Sequence, residues 1–123
     1  LFKAIEFRDS QNLSHTAAMA RSACAYIDQN YKNPDMTLSD VAKHVALSNN
    51  HFCTVFSQEM GVTFIEYLTA LRMKKARELL KLTDMRSSEV AVAIGYSDPH
   101  YFSYLFKKNV GMNPRDYRNS CRK

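Results

Sequence analysis

The stretch TFIEYLTALRMKKARELLKL, residues 63–82, has the composition of one long helix. It contains no Gly or Pro, and Leu, Ala, Glu, Lys and Arg dominate it. Thr63 and Glu66 have the spacing of a capping box, which marks the start of a helix. On a helical wheel the apolar face consists of Phe64, Tyr67, Leu68, Leu71, Ala76 and Leu79. Arg72 and Lys75 interrupt this face, and we expect them at the edge of the core.

The sequences before and after this helix repeat each other. Val41, Ala42 and Val45 match Val90, Ala91 and Ile94 at a spacing of 49 residues, and Phe52, Phe56, Gly61 and Tyr67 match Phe102, Phe106, Gly111 and Tyr117 at 50. Each copy predicts a short helix, a tight turn and a second helix, which is the helix-turn-helix pattern. We therefore predict an all-α fold of about seven helices, with two helix-turn-helix subdomains joined by the long central helix.

The domain boundaries follow from the same pattern. Residues 1–13 show little periodicity and are interpreted as the remnant of a linker from a missing N-terminal domain. Residues 14–62 are the first subdomain, 63–82 the linker helix and 83–123 the second subdomain. The predicted helix caps are Ser14, Ser48, either Ser87 or Ser88, either Ser97 or Asp98, and Asn113. Gly61 and Gly111 are predicted to end helices, and no segment has the alternation of a strand.

The charge distribution favours a polyanionic partner. The net charge of the chain is +5. Residues 1–36 carry four basic and four acidic side chains, whereas residues 37–123 carry thirteen and eight. The excess therefore lies on the duplicated part, which suits a polyanion such as a nucleic acid.

Neither a metal site nor a catalytic site is predicted. The three cysteines, Cys24, Cys53 and Cys121, are too far apart for a zinc motif and are interpreted as reduced thiols. The four histidines also lack metal-ligand spacing. His51 and Cys53 are two residues apart on one helix, so they do not face each other as a base and a nucleophile. We predict no enzyme, no metal and no cofactor, and no apolar run of membrane-spanning length occurs.

The second helix of each helix-turn-helix would enter a major groove with the face that is not in the core. The predicted core faces are Phe52, Val55 and Phe56 in the first copy and Phe102, Leu105 and Phe106 in the second. The side chains predicted to read bases are Asn50, Cys53 and Thr54 in the first copy and His100, Ser103 and Tyr104 in the second. Those predicted to contact the DNA backbone are Ser48, Asn49, Ser57, Ser97, Lys107, Lys108 and Arg115. A helix of twenty residues spans about 30 Å, close to the ~34 Å between successive major-groove faces. One chain could therefore read two turns of DNA.

The second copy, SSEVAVAIGYSDPHYFSYLFKKNVGMNPRDYR, resembles the signature of the AraC/XylS family of bacterial transcription regulators. The matching residues are Ala91, Gly95, Tyr96, Ser97, Tyr101, Phe102, Ser103, Phe106, Lys107, Lys108, Gly111, Pro114, Tyr117 and Arg118. The resemblance implies two recognition helices in successive major grooves of an asymmetric promoter site. By position it puts base contacts near the six residues above and near Pro99, although Cys53 and Pro99 stand where many members have Arg or Gln.

The same resemblance implies partners. They are double-stranded DNA, RNA polymerase, and a missing N-terminal sensor or receiver domain, in a bacterial cytoplasmic protein associated with the nucleoid and not with a membrane. The run VTFIEYLTALRMKKARELLK is also similar to members that end a two-component response regulator.

Two other classes stay open at this point. A helical protein-interaction adaptor that does not bind DNA would present an exposed apolar stripe to a partner helix. RNA binding is compatible with the charge, but two groove-sized helices fit B-form DNA better than the narrow major groove of RNA.

Overall fold

The computed structural model describes the backbone of residues 2–122 and the side chains of residues 15–122. Over this part the chain forms seven helices and no strand, which confirms the predicted fold class. The helices are α1 (Phe2–Asn30), α2 (Leu38–His44), α3 (Asn49–Met60), α4 (Phe64–Leu82), α5 (Ser87–Ala93), α6 (Pro99–Val110) and α7 (Pro114–Cys121). They form two compact units: unit 1 consists of Leu1–Gln29 and Met36–Tyr67, and unit 2 of Asn30–Asp35 and Leu68–Lys123.

Most helix ends lie where the sequence predicts them. The Ser48 hydroxyl accepts a hydrogen bond from the His51 N–H at 3.2 Å and caps α3. Asp98 caps α6 by accepting from the His100 N–H at 2.9 Å, and Asn113 caps α7. The capping box that starts α4 is present, with the Glu66 N–H bonded to the Thr63 hydroxyl at 3.1 Å and the Thr63 N–H to the Glu66 carboxylate at 2.9 Å.

Two predicted caps were wrong. The backbone is already helical at Phe2, so Ser14 lies inside α1 rather than at its start, and its side chain lies outside the described residues. At α5 the cap position is Arg86, not Ser87 or Ser88. Arg86 has no acceptor to offer, and the Glu89 carboxylate instead accepts from the Arg86 N–H at 2.9 Å. This bond is the half of a capping box that the third helical residue supplies, and no side chain at the cap position accepts from the N–H groups of the helix.

The core of unit 1 is built around aromatic rings of α3 and α4. Phe52 contacts Phe56 with ring centroids 5.4 Å apart and Phe64 at 6.2 Å. Tyr67 lies edge-on to Phe56 at 5.6 Å. Ile27 of α1 and Val41 of α2 are fully buried in the same unit. Burial of each such side chain contributes about 1.5–3 kcal/mol to the free energy of folding. This core therefore stabilises the packing of α1, α2 and α4 around α3.

Unit 2 repeats this packing with its own residues. Phe102 contacts Phe106 at 5.7 Å, and Tyr117 lies edge-on to Phe106 at 5.5 Å. These rings stand 50 residues after Phe52, Phe56 and Tyr67. The repeat in the sequence is therefore also a repeat in the core.

The burial of α4 differs from the single apolar face drawn on the wheel. Met73 and Leu80 are 2% and 1% exposed, although neither belongs to that face, while Leu71 and Leu79 are only half-buried. The reason is that α4 contributes to two cores: Phe64 packs in unit 1, and the part from Leu68 onward belongs to unit 2.

Arg72 lies in the core of unit 2 and not at its edge. Its Nε donates to the Tyr31 carbonyl oxygen at 2.9 Å and its Nη2 to the Asn33 carbonyl oxygen at 3.2 Å. The guanidinium also lies over the Tyr96 ring, 4.9 Å from the centroid. Arg72 thus holds the segment Asn30–Asp35 against α4 within unit 2. Lys75, by contrast, is partly exposed and pairs with Glu78 at 3.8 Å.

Candidate nucleic-acid interface

The two helix-turn-helix pairs are joined by the same backbone turn. Leu47 and Ala46 donate to the carbonyl oxygens of Ala42 and Lys43 at 2.9 and 3.0 Å, and Tyr96 and Gly95 donate to those of Ala91 and Val92 at 2.9 and 3.2 Å. This is the Schellman arrangement, which needs one residue with a positive φ. Ala46 takes that position with φ of 60° and Gly95 with φ of 105°. The turns α2–α3 and α5–α6 are therefore equivalent.

Position 95 requires glycine for a steric reason as well as for its positive φ. A Cβ at this position would stand 2.2 Å from the Tyr31 carbonyl oxygen and 2.9 Å from Nε and Nη2 of Arg72. The glycine leaves the space in which Arg72 reaches its two carbonyl acceptors. Through this contact the core of unit 2 fixes the turn that precedes α6.

The first recognition helix, α3, presents the predicted side chains on one exposed face. Phe52, Val55 and Phe56 are buried, as predicted. The predicted base-reading residues Asn50, Cys53 and Thr54 are all exposed. The Thr54 hydroxyl donates to the Asn50 carbonyl oxygen at 3.1 Å. Because that donor is used within the helix, the methyl group and the remaining lone pairs of Thr54 are left for a base.

The residues of the first copy that are predicted to contact the DNA backbone differ in which hydrogen-bonding groups they still have available. Ser48 is exposed, and its hydroxyl accepts from the α3 backbone, so its O–H can still donate to a phosphate. Asn49 is exposed, but its Nδ2 donates to the Ser39 hydroxyl of α2 at 2.9 Å. Asn49 therefore also ties α2 to α3, whereas Ser57 is half-buried further along the helix.

The second recognition helix, α6, carries larger and more basic side chains. Phe102 and Phe106 are buried, and Leu105, which was predicted to be a core residue, is half-buried. His100 is exposed, Tyr104 is 61% exposed and Ser103 is half-buried. The four predicted backbone contacts of this copy, Ser97, Lys107, Lys108 and Arg115, are all exposed.

Three further polar side chains are exposed beside these faces, although the sequence analysis did not propose them as DNA contacts. They are His51 and Gln58 on α3 and Tyr101 on α6. Tyr101 is 52% exposed and lies edge-on to Tyr96 at 6.0 Å. At 100° per residue, His51 is about 60° from Thr54 on the wheel. A broader outward arc drawn on the wheel would have included all three.

Three tyrosines with shifted pKa values pack against the recognition helices. Burial raises the pKa of Tyr67 and of Tyr96, and it does so for Tyr96 despite the opposing effect of the Arg72 guanidinium. Burial also raises the pKa of Tyr117. These three phenols are therefore neutral at physiological pH and act as packing groups.

Within the described residues, no three His, Cys, Asp or Glu side chains come together as a metal site would require. None of the helices in the same part of the chain combines the length and the apolar character needed to cross a membrane.

Comparison with known proteins identifies the family. The family model described as "Helix-turn-helix domain" matches residues 41–120. The arabinose operon regulatory protein of Escherichia coli (strain K12) is 33% identical over 101 residues, which cover 82% of this chain and 35% of that protein. The chain spans about a third of the length of the curated relatives it matches.

Solved structures agree. The C-terminal domain of AraT, a response regulator from Geobacillus stearothermophilus, is 39% identical with a TM-score of 0.81, covering 83% of this chain and 84% of that one. The DNA-binding domain of AdpA, solved in complex with a target DNA, has the same fold at 22% identity, with a TM-score of 0.79 over 84% of this chain and 92% of that one. The matched family is one of transcription regulators and not of enzymes. With its two equivalent helix-turn-helix units, the chain belongs to the AraC/XylS family of transcription regulators, as an AraC-type DNA-binding domain.

Proposed function

We propose that this domain binds an asymmetric promoter site in double-stranded DNA, with α3 and α6 in successive major grooves. The observation that carries the proposal is the equivalence of the two recognition helices, which have the same length, follow the same turn and expose polar faces. The outward residues of the two faces differ, so each helix would prefer different bases. Two different half-sites make the whole site asymmetric.

The base-reading roles are assigned by exposure and chemistry. The Asn50 amide can bond an adenine edge in bidentate fashion, and the Thr54 methyl can meet a thymine methyl. His100 can donate to a guanine acceptor. Cys53, Ser103 and Tyr104 complete the proposed reading set, with Ser103 the least exposed of the six residues.

The backbone contacts are proposed to flank these positions. Ser48, Asn49 and Ser97 lie at or before the helix starts, where N–H groups and hydroxyls favour phosphate. Ser57, Lys107 and Lys108 lie further along the helices, and Arg115 lies in the first turn of α7. Such contacts orient a protein on DNA without reading its sequence.

Three further parts of the proposal concern the whole protein. The chain covers only about a third of the length of its curated relatives, and the AraT domain is the C-terminal part of a response regulator. We propose that an N-terminal sensor or receiver domain controls this domain. When it is bound to DNA, the protein would contact RNA polymerase. Its location would be the bacterial cytoplasm, at the nucleoid. The predicted division into residues 1–13, 14–62, 63–82 and 83–123 belongs to the same proposal.

The adaptor alternative is less well supported. It needs an apolar stripe on an exposed helix face. Among the side chains of residues 15–122, the most exposed aliphatic ones are Ile65, Leu82 and Val92. They lie on α4 and α5, whereas the exposed faces of α3 and α6 carry mainly polar groups.

The proposal is tested by selecting binding sites from random duplex DNA. The domain is then titrated with the enriched duplex, called the selected duplex, and with a scrambled duplex. We expect one motif with two unlike boxes about one helical turn apart. A motif with a single box would refute reading by both helices, and no enrichment would refute sequence-specific binding.

A further inference from the structure

Charge is divided unequally between the two units. Unit 1 carries four Lys and Arg against six Asp and Glu, a net charge of −2. Unit 2 carries thirteen against six, a net charge of +7. The excess positive charge of the chain therefore lies on one of the two helix-turn-helix units, a narrower location than the duplicated part as a whole.

The difference is also present position by position. In unit 2, Lys107, Lys108 and Arg115 are exposed around the end of α6 and the start of α7. The residues 50 positions earlier, in unit 1, are Ser57, Gln58 and Ile65. Ile65 is 63% exposed, so it replaces a cation on the surface and does not fill a core. Three repeat positions that can bind phosphate in one unit are thus uncharged in the other.

Several of the other cations of unit 2 have structural partners. Arg72 donates to the carbonyl oxygens of Tyr31 and Asn33. Arg118 donates from Nε to the Leu80 carbonyl oxygen at 2.8 Å, and Arg122 pairs with Asp84 at 2.8 Å. Further exposed cations of this unit are Lys32, Lys74, Lys81 and Arg86. Lys107, Lys108 and Arg115, the three cations at the α6–α7 turn, lie in the last turn of recognition helix α6 and in the first turn of α7.

This distribution has a consequence for binding. Each phosphate that a cation neutralises contributes about 0.9 to the slope of log affinity against log salt. A unit with a net negative charge gains little from this effect and is repelled by the phosphates at long range. We infer that unit 2 holds the domain on DNA of any sequence, and that unit 1 adds affinity only where its side chains meet the correct bases. The inference rests on the proposed function.

Exchange of residues between the two copies tests the inference in the whole chain. One variant combines Lys107→Ser, Lys108→Gln and Arg115→Ile, so that unit 2 carries the residues of unit 1. The reciprocal variant combines Ser57→Lys, Gln58→Lys and Ile65→Arg. A control variant combines Arg21→Ala with Lys43→Ala, which removes two exposed cations of unit 1. Circular dichroism verifies that each variant folds, and fluorescence anisotropy gives its affinity for the selected and the scrambled duplex over a series of KCl concentrations.

The expected results differ in sign between the variants. Removing the three cations of unit 2 should lower the salt slope by about 2–3 on both duplexes, whereas the reciprocal variant should raise it by a similar amount. The control variant should leave the slope nearly unchanged. An equal fall for the control and the unit 2 variant, or no change in the unit 2 variant, would overturn the inference. Failure of the proposed function is distinguishable, because the unaltered chain would then not prefer the selected duplex.

A second measurement uses the unaltered chain. On scrambled duplex at low salt, NMR shifts of the backbone amides should change in unit 2 and stay nearly constant in unit 1. On the selected duplex, amides of α3 should shift as well. Equal changes in both units on scrambled DNA would contradict the inference.

Discussion

Gly95→Ala is expected to destabilise unit 2 far more than a loss of glycine flexibility explains. The new Cβ would lie 2.2 Å from the Tyr31 carbonyl oxygen, a distance that no adjustment of a single side chain can relieve. It would also lie 2.9 Å from two nitrogens of Arg72. Either the backbone near Tyr31 moves away or the guanidinium leaves its two acceptors.

The size of the effect follows from two contributions. An L residue with a positive φ costs about 1–2 kcal/mol. Loss of one charge-assisted hydrogen bond from Arg72 costs about 1.5–3 kcal/mol, and more if both bonds are lost. We therefore expect a destabilisation of about 4 kcal/mol for Gly95→Ala.

Gly111→Ala provides the matched control. Gly111 has a φ of 96°, close to the 105° of Gly95, but a Cβ there meets nothing within 4 Å. It should therefore cost only the backbone contribution of about 1–2 kcal/mol. Urea unfolding followed by circular dichroism measures both variants. Equal midpoints for the two would refute the steric role assigned to the Tyr31 carbonyl oxygen and Arg72.

Three further predictions concern the recognition helices and the cysteines. Asn50→Ala should weaken binding to the selected duplex by about 1–3 kcal/mol and relax the preference at one position only; an equal loss on scrambled duplex in the same titration would remove its base-reading role. Ser48→Ala should destabilise the fold by about 1 kcal/mol because α3 loses its cap, and an unchanged urea midpoint would contradict this. Burial raises the pKa of the Cys24 thiol, so its alkylation by iodoacetamide, followed by mass spectrometry, should require a higher pH than an ordinary thiol does. Exposed Cys53 should be modified first, and modification of Cys24 before Cys53 at neutral pH would disprove the ranking.

The sequence predicts the local features of the fold because local rules govern them. The ends of α3 and α6 depend on a cap residue at one end and a glycine at the other, and each signal lies directly at the helix end that it marks. The repeat predicts the aromatic cores for the same reason, since Phe56 and Phe106 occupy one position of one pattern.

The features that sequence analysis missed depend on distant partners. Nothing near Arg72 indicates that its acceptors are carbonyl oxygens some forty residues earlier, in a segment without helix or strand. The bond between Asn49 and Ser39 likewise depends on how α2 meets α3. On α3 and α6 the helical wheel predicts which side chains are exposed, but no local sequence pattern indicates which of them contact a base.

The two segments of unit 2 have a consequence for how the protein is made. Every residue of unit 1 has been synthesised once Tyr67 has left the ribosome, and by then Asn30–Asp35 has emerged as well. The partners of that segment, Arg72 and Gly95, are synthesised later. Because chains fold from the N-terminus during synthesis, unit 1 can fold before the residues that bind segment Asn30–Asp35 of unit 2 have been synthesised. A chain whose translation stopped near residue 68 would therefore contain every residue of the first recognition unit and none of the cations at the α6–α7 turn.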